Sequence, residues 1–167
     1  MRRNETKTKA PNAADAELQP GFWREKSLAE MNAAEWEALC DGCGKCCLVL
    51  LQDDEEDGGA VWETDLHCQL FDPERRVCRD YENRHARVPD CVRLSPANAG
   101  ALPWMPETCA YRLVSEGAPL PDWHPLVTGD RESTAKAGVA VRGDELFSES
   151  DFPEDGDWEE RITQRRG

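Results

Sequence analysis

The chain has 167 residues, of which 32% are charged and 39% hydrophobic, and its formal net charge at pH 7 is -14. Such a length predicts one domain with a modest core, and small cores usually need a metal, disulfides or oligomerisation for stability. The acidic balance excludes nucleic acid as an expected partner, because binding to phosphate backbones needs clustered Lys and Arg. It also disfavours binding to anionic membrane surfaces.

The N-terminus predicts no secretory signal, because no apolar segment follows its basic first residues, MRRNETKTKA. The longest apolar run, residues 48–51, is far too short to span a bilayer. We therefore expect a cytoplasmic protein, in a compartment where thiols stay reduced. Eight cysteines in such a compartment are more typical of metal ligands or redox groups than of structural disulfides.

The first elements are predicted from polarity and capping signals. Residues 1–21 lack periodicity and predict a disordered arm. Asn32 followed by Glu35 is typical of a capping box that opens a short helix. Gly42 and Gly44 break that helix and allow the backbone to fold tightly.

Several short elements follow. Residues 48–51 fit either a helix or a strand, and residues 61–70 predict an extended segment. Short helices are predicted over residues 79–87 and 107–116, and Gly117 caps the second. This pattern alone predicts short helices and irregular loops rather than a large sheet.

The sequence therefore predicts a small irregular mainly-α domain organised around a cysteine cluster, with little sheet and disordered termini. The cysteine-cluster metal-binding domain is expected over residues 22–143. The disordered arm of residues 1–21 precedes it. An acidic, largely disordered tail is expected over residues 144–167, where acidic side chains outnumber the scattered aromatic ones.

The strongest functional signal is the segment CDGCGKCC at residues 40–47, a C-x2-C-x2-C-C pattern. Two-residue spacing allows two thiolates to face one ion while the intervening amides turn toward the sulfurs. Packing of buried thiols explains one such cysteine but not four at this spacing. All eight cysteines are candidate metal ligands: Cys40, Cys43, Cys46, Cys47, Cys68, Cys78, Cys91 and Cys109.

The spacing leaves the identity of the metal open between zinc and iron, including an iron–sulfur cluster. Cys40, Cys43 and Cys46 have the first three spacings of a bacterial ferredoxin cluster, although the C-x3-C-P continuation is missing. A structural zinc site needs four ligands, which later cysteines can complete, although a second C-x2-C is absent. Cys43 and Cys46 also form a C-x-x-C like that of thioredoxins, but a predicted helix precedes it where a strand is usual.

Cys46 and Cys47 are expected to serve different purposes, because adjacent side chains point in different directions in both helices and strands. Cys46 continues the spacing of Cys40 and Cys43 and is assigned to the same primary site. Cys47 then either joins a second metal with later cysteines or packs as a buried thiol beside Leu48.

Other candidate ligands are less specific. His67 and His124 are possible nitrogen ligands, and His85 is a weaker one because it lies on a charged helix. Asp41 and Asp90 each neighbour a cysteine and are candidates for oxygen ligands or for acceptors behind the ligands, although turn and cap roles are commoner. No nucleotide-binding or hydrolase motif is present, so catalysis stays open. The alternative to a metal-binding module is a metalloenzyme or an iron–sulfur redox protein.

The order of several motifs resembles the YcgN-type cysteine-cluster family. These motifs are CDGCGKCCL (40–48), RDY (79–81), VPDC (88–91), ETCAYRL (107–113), WHPL (123–126) and AGVAVRG (137–143). That family belongs to the wider CxxCxxCC superfamily, which is described as zinc- or iron-chelating. The resemblance implies a metal ion as the partner and the eight cysteines as its ligands, and it leaves the protein partner unknown.

The resemblance covers residues 22–143 and carries two further implications. A distant branch of the superfamily includes flagellin lysine methylases, so the metal domain can accompany enzymatic activity. Relatives are expected to have a cysteine where this chain has Arg76. Its absence removes one ligand of a second site and favours a single metal.

Overall fold

The structure is a computed structural model that describes residues 18–53 and 59–166. Its helices in these ranges are short: α1 (Phe22–Glu25), α2 (Ala33–Ala38), α3 (Arg84–Arg87), α4 (Ala110–Ser115), α5 (Pro125–Thr128) and α6 (Ser133–Lys136). Single 3-10 turns connect other elements. None of the described helices is long and apolar enough to cross a membrane.

A four-stranded sheet is built around one central strand. The strands are β1 (Leu48–Gln52), β2 (Val61–His67), β3 (Phe71–Asp72), β4 (Val77–Cys78), β5 (Phe147–Ser148) and β6 (Ile162–Arg166). β1 runs antiparallel to β2 along one edge. β6, which is antiparallel, and β5, which is parallel, share the other edge. β3 and β4 form a separate two-stranded hairpin.

The prediction of a mainly-α domain with little sheet is wrong, because the described residues form two sheets. β1 and β2 lie where the sequence allowed extended segments, but β6 comes from the polar tail. Its pairing joins Glu63 to Gln164, which are 101 positions apart. Local patterns contain no trace of such a pairing, since β6 buries little and gains its order from β2. Most of the predicted arm of residues 1–21 lies outside the described residues, and the domain boundaries stay predictions.

The helical half packs around a small apolar core that joins α2 to α4. Tyr111 packs against Trp36 with the rings tilted by 49° and their centroids 4.7 Å apart, and its hydroxyl donates to the Trp36 carbonyl at 2.8 Å. The predicted capping box is confirmed, because the Glu35 amide donates to the Asn32 side chain and the Asn32 amide to the Glu35 carboxylate. The start of α4 is therefore held beside the end of α2, which brings Cys109 close to Cys40.

Candidate metal centre

The cysteine loop, defined as residues 39–47, connects α2 to β1 through two left-handed glycines. Gly42 and Gly44 have φ of 68° and 77°, a backbone conformation that favours glycine. A Cβ atom at Gly44 would lie 2.7 Å from both the Phe71 ring and the Val141 side chain. The loop therefore depends on Gly44 for its shape and for its close approach to the rest of the domain.

Donors that are distant in sequence hold the carbonyl groups of the cysteine loop. In each of the following pairs, the loop residue whose carbonyl accepts is named first and its donor second: Leu39 and His124 Nε2 (3.1 Å), Asp41 and Thr134 Oγ1 (2.9 Å), Gly42 and Arg76 Nε (3.1 Å), Cys43 and the Val141 amide (2.8 Å), and Lys45 and Arg166 Nη2 (2.7 Å). These bonds fix the peptide planes of the loop. Two amides of the loop face its thiols, that of Gly42 toward Cys40 and that of Lys45 toward Cys43, and each lowers the pKa of the thiol that it faces.

Four thiols form what we term the first cysteine group: Cys40, Cys43, Cys46 and Cys109. Burial raises the pKa of Cys40 to about 12, the neighbouring Cys46 adds to the increase, and the Gly42 amide opposes it. Burial likewise raises the pKa of Cys109 to about 11, although hydrogen bonds from the backbone amides of Arg112 and Tyr111 lower it. Solvent still reaches Cys40 and Cys46, which are exposed, so the group lies in an accessible recess of crowded protein atoms.

Asp41 supplies a carboxylate to the first cysteine group. Its Oδ1 accepts from the Cys43 amide at 2.9 Å, while its Oδ2 is buried and has no hydrogen-bond partner among the described residues. Asp41 also raises the pKa values of Cys40, Cys43 and Cys109, in each case after the effect of burial. An unpartnered buried carboxylate oxygen is costly, and a cation offsets that cost. The donor set therefore fits a metal ion.

Three thiols form the second cysteine group: Cys68, Cys78 and Cys91. The β3–β4 hairpin pairs Phe71 with Cys78, and the Phe71 amide donates to the Cys68 carbonyl at 2.9 Å. Burial is the main cause that raises the pKa of Cys68, with later contributions from Cys91 and Cys78. Burial also raises the pKa of Cys91. Arg84 opposes this increase, whereas Cys78 and Cys46 add to it, so the second group lies beside the first. The hairpin thus gathers cysteines that are well separated along the chain.

Cys47 lies between the two groups. A hydrogen bond with the Cys47 thiol is the largest cause that raises the pKa of Cys46, followed by burial. The Cys47 carbonyl accepts from the Cys68 amide at 2.8 Å, which joins the cysteine loop to the end of β2. All eight cysteines are free thiols.

The histidine and aspartate candidates differ in their burial and hydrogen bonding. His124 is fully buried, its Nδ1 accepts from the Leu126 amide and its Nε2 donates to the Leu39 carbonyl, so it anchors the loop and has no nitrogen free. Burial lowers its pKa, which keeps the ring neutral. His67 is hydrogen-bonded through Nδ1 to the Cys68 carbonyl at 2.9 Å, and Asp90 is exposed.

In the described part of the chain, no three cysteine, histidine or acidic side chains converge closely enough to hold a metal ion as they stand. The structure gathers the predicted ligands into two groups without closing either. Metal binding therefore requires thiols to move closer by rotation or by adjustment of the loop. The ligand set remains a prediction.

Sequence analysis did not identify the residues that shape the cysteine loop. Thr134 and Val141 lie in or beside the AGVAVRG motif, so the motif itself was a usable signal. The sequence marks Arg76 only as the position of a missing cysteine, yet it bonds to Gly42 and to Glu132. No local pattern points to Arg166.

Substitution of Gly44 by alanine should disrupt the loop more than the same substitution at Gly42. Both substitutions put a Cβ on a residue with left-handed backbone, which destabilises the protein by roughly 1 kcal/mol. Only Gly44→Ala also forces a Cβ against the Phe71 ring, and such overpacking costs about 1–3 kcal/mol more. Chemical denaturation of the two variants in parallel measures the difference. Equal stabilities would show that the Phe71 contact imposes no restriction.

The fold and the two groups define a small cysteine-cluster protein whose thiols are positioned by remote hydrogen bonds. Residues 39–110 match the CxxCxxCC family, which is described as a "putative zinc- or iron-chelating domain". This match confirms the resemblance noted from the motifs and supports a metal ion in general, without selecting zinc or iron.

Three relatives that align with most of this chain share one family name. The UPF0260 protein of Caulobacter sp. (strain K31) is 57% identical over 80% of this chain and 82% of its own. Those of Rhizorhabdus wittichii and Azotobacter vinelandii are 51% and 49% identical, over 87% and 91% of this chain and 95% and 99% of their own. The chain therefore belongs to the UPF0260 family. No solved structure matches it significantly.

Proposed function

We propose that this protein binds a zinc or iron ion through Cys40, Cys43, Cys46 and Cys109. The observation that carries the proposal is the buried, unpartnered Oδ2 of Asp41 beside these four thiols. Four thiolates suit zinc, iron or an iron–sulfur cluster. Asp41 either adds an oxygen ligand or acts as a hydrogen-bond acceptor behind the ligands, as its Oδ1 does for the Cys43 amide.

The metal is proposed to act first as a structural staple for the cysteine loop. The two helices beside the site, α2 and α4, are only six residues long, and a bound ion would connect the end of α2 to the start of α4. Binding free energy then becomes folding free energy, as in other small metal domains. We keep a cytoplasmic location as part of the proposal, with the metal ion as the partner and neither nucleic acid nor membrane.

The alternative of a metalloenzyme or an iron–sulfur redox protein is favoured by one observation. Cys40 and Cys46 are exposed, so small molecules can reach the first cysteine group. Catalytic metal centres keep an open coordination position, whereas structural ones are closed. Colour separates the candidates, since an iron–sulfur protein purified without oxygen is brown and a zinc protein is colourless.

Replacing one thiol of the first cysteine group should remove a metal ion. We expect Cys40→Ser and Cys109→Ser each to lose about one metal per chain, because a tetrahedral site needs all four ligands. Cys46→Ser should lower metal content more than its neighbouring control, Cys47→Ser. Elemental analysis of soluble, anaerobically purified variants, counted per folded chain, provides the measurement.

Two outcomes would contradict this assignment. Metal-free but fully folded wild-type protein from reducing conditions would refute metal binding itself. Equal loss from Cys46→Ser and Cys47→Ser would instead indicate a shared multinuclear cluster, in which neighbouring thiolates bind different metal atoms.

A further inference from the structure

β1 lies at an edge of the four-stranded sheet, where β2 is its only neighbouring strand among the described residues. It has the sequence LVLLQ at residues 48–52, with neither a charged residue nor a proline. Proteins usually protect an edge strand with lysine, proline, a bulge or a covering element, because an open edge pairs with other chains. The apolar edge of β1 therefore needs an explanation that metal binding does not supply.

The register of β1 and β2 shows which backbone groups of β1 face away from β2. The Asp53 amide donates to the Ala60 carbonyl at 3.1 Å, so Asp53 bonds toward β2. In antiparallel strands, residues that bond to the neighbouring strand alternate with residues whose amides and carbonyls face the other side. Leu51, two positions earlier in the same register, therefore also bonds toward β2. The amides and carbonyls of Leu50 and Gln52 consequently point outward.

The outward edge of β1 is open to another strand. In the part of the chain that the structure describes, no strand pairs with this edge, and no loop amide or carbonyl bonds to Leu50 or Gln52. The pairing with β2 has one irregularity, in which β1 advances from Leu48 to Leu50 while β2 advances from Glu63 to His67. The extra residues thus belong to β2, so β1 lacks the bulge that would block further pairing.

We propose that β1 pairs antiparallel with β1 of a second copy of this chain, with Leu50 of each copy opposite Leu50 of the other. The Leu48 carbonyl points outward as well, since that of Cys47 bonds to the Cys68 amide after β2. In this register the two Leu50 residues bond to each other, and each Gln52 amide donates to the Leu48 carbonyl of the other copy. The result is a dimer with twofold symmetry and one continuous sheet. This inference goes beyond metal binding and does not depend on it.

Side chains and charges favour a second copy in the antiparallel direction. Val49 of each copy lies opposite Leu51 of the other, and both residues are half-buried and apolar, which suits the closely spaced positions between hydrogen-bonded pairs. Each chain has a net charge of -14, and Asp53 begins an acidic run over residues 53–57. Antiparallel pairing sets Asp53 of one copy opposite Cys47 of the other, so the two Asp53 residues lie roughly 20 Å apart, beyond the screening length of about 8 Å. Parallel pairing would bring the two acidic runs together.

Analytical ultracentrifugation of the full, reduced chain over a range of concentrations tests the proposal, and we expect a reversible dimer. Gln52→Pro removes the outward amide but leaves the bonds between β1 and β2 intact, because that amide does not face β2. It should weaken dimerisation by at least about tenfold, since a symmetric dimer loses the bond twice. Gln52→Ala is the matched control, because it keeps the amide and Gln52 is exposed. It should dimerise like the wild type.

A wild-type measurement covers the case in which a variant fails to fold. Hydrogen exchange read by NMR should slow at the Leu50 and Gln52 amides as the protein concentration rises, and should stay unchanged at the Leu51 amide, which already bonds to β2. A chain that stays monomeric at all concentrations, or equal dimerisation of the two Gln52 variants, would overturn the proposal. Protection of the Leu50 and Gln52 amides that does not depend on concentration would also overturn it, because another part of the same chain would then cover β1.

Discussion

Removal of the bound metal should lower the free energy of unfolding by about 3 kcal/mol or more, and the melting temperature by roughly 10 °C. The cysteine groups lie among helices and strands of two to seven residues, which are too short to be stable alone. Metal binding in small domains contributes folding free energy directly. The sheet around β2 and the core between α2 and α4 should keep the metal-free chain partly folded.

Thermal and chemical denaturation before and after chelation measure this loss, with re-addition of the metal as the control for irreversible damage. The pH dependence gives a second measurement. Burial raises the pKa of Cys40 to about 12 and that of Cys109 to about 11, so both thiols keep their protons at neutral pH without metal. Binding must release those protons, so metal affinity should rise with pH, by about tenfold per pH unit for each proton released.

A chelator should therefore extract the metal more readily at pH 6 than at pH 8. An unchanged melting curve after confirmed loss of metal would show that the core is stable alone. A pH-independent affinity would show that the thiols are not the ligands.

Replacement of Arg166 by alanine should destabilise the protein by about 3–5 kcal/mol, the usual cost of breaking a buried ion pair by removing one partner. Arg166 Nε lies 2.6 Å from Glu63 Oε2, and the two side chains are only 7% and 11% exposed. The same guanidinium donates to the carbonyls of Lys45 (2.7 Å) and Trp104 (3.2 Å). Its loss would leave Glu63 charged, buried and short of its cation.

The effect should extend to the metal, because Lys45 lies between Cys43 and Cys46 in the cysteine loop. We expect Arg166→Ala to lower metal content as well as stability. Arg165→Ala is the matched control, since Arg165 is the neighbouring residue of β6 but is exposed. Arg166→Lys should be intermediate, because an ammonium keeps the charge but lacks the planar fork of donors. Equal stability of the two alanine variants would show that Arg166 does not hold the loop. The result also tests the domain boundary predicted at residue 143.

The sequence predicts those elements that depend on residues close to one another in the chain. The capping box of Asn32 and Glu35, and the turn forced by Gly42 and Gly44, depend on residues a few positions apart. The extended segments at β1 and β2 are also visible as apolar patterns. For the same reason, the spacing of the cysteines within residues 40–47 is enough to identify the cysteine loop as the centre of the candidate site.

The parts that the sequence does not predict depend on distant partners. β6 is polar and becomes a strand only because β2 offers it an unpaired edge. The charged helix around His85 makes it a weak candidate in the sequence, and only the bond of its Nδ1 to Cys91 shows that its other nitrogen is free. The sequence favours His124 over His85, although both nitrogens of His124 are engaged. Which nitrogen is free is a property of the folded chain.

The contact between Arg166 and Lys45 also sets the order of events during synthesis. These residues are 121 positions apart, so at about 5–20 residues per second the ribosome adds Arg166 roughly 6–24 s after Lys45. During that interval the cysteine loop has emerged without the guanidinium that holds its carbonyl. Until then the thiols of Cys40, Cys43 and Cys46 lie on a loop that lacks one of its fixed contacts. On the proposed function, stable metal loading has to wait until β6 has been made and has docked.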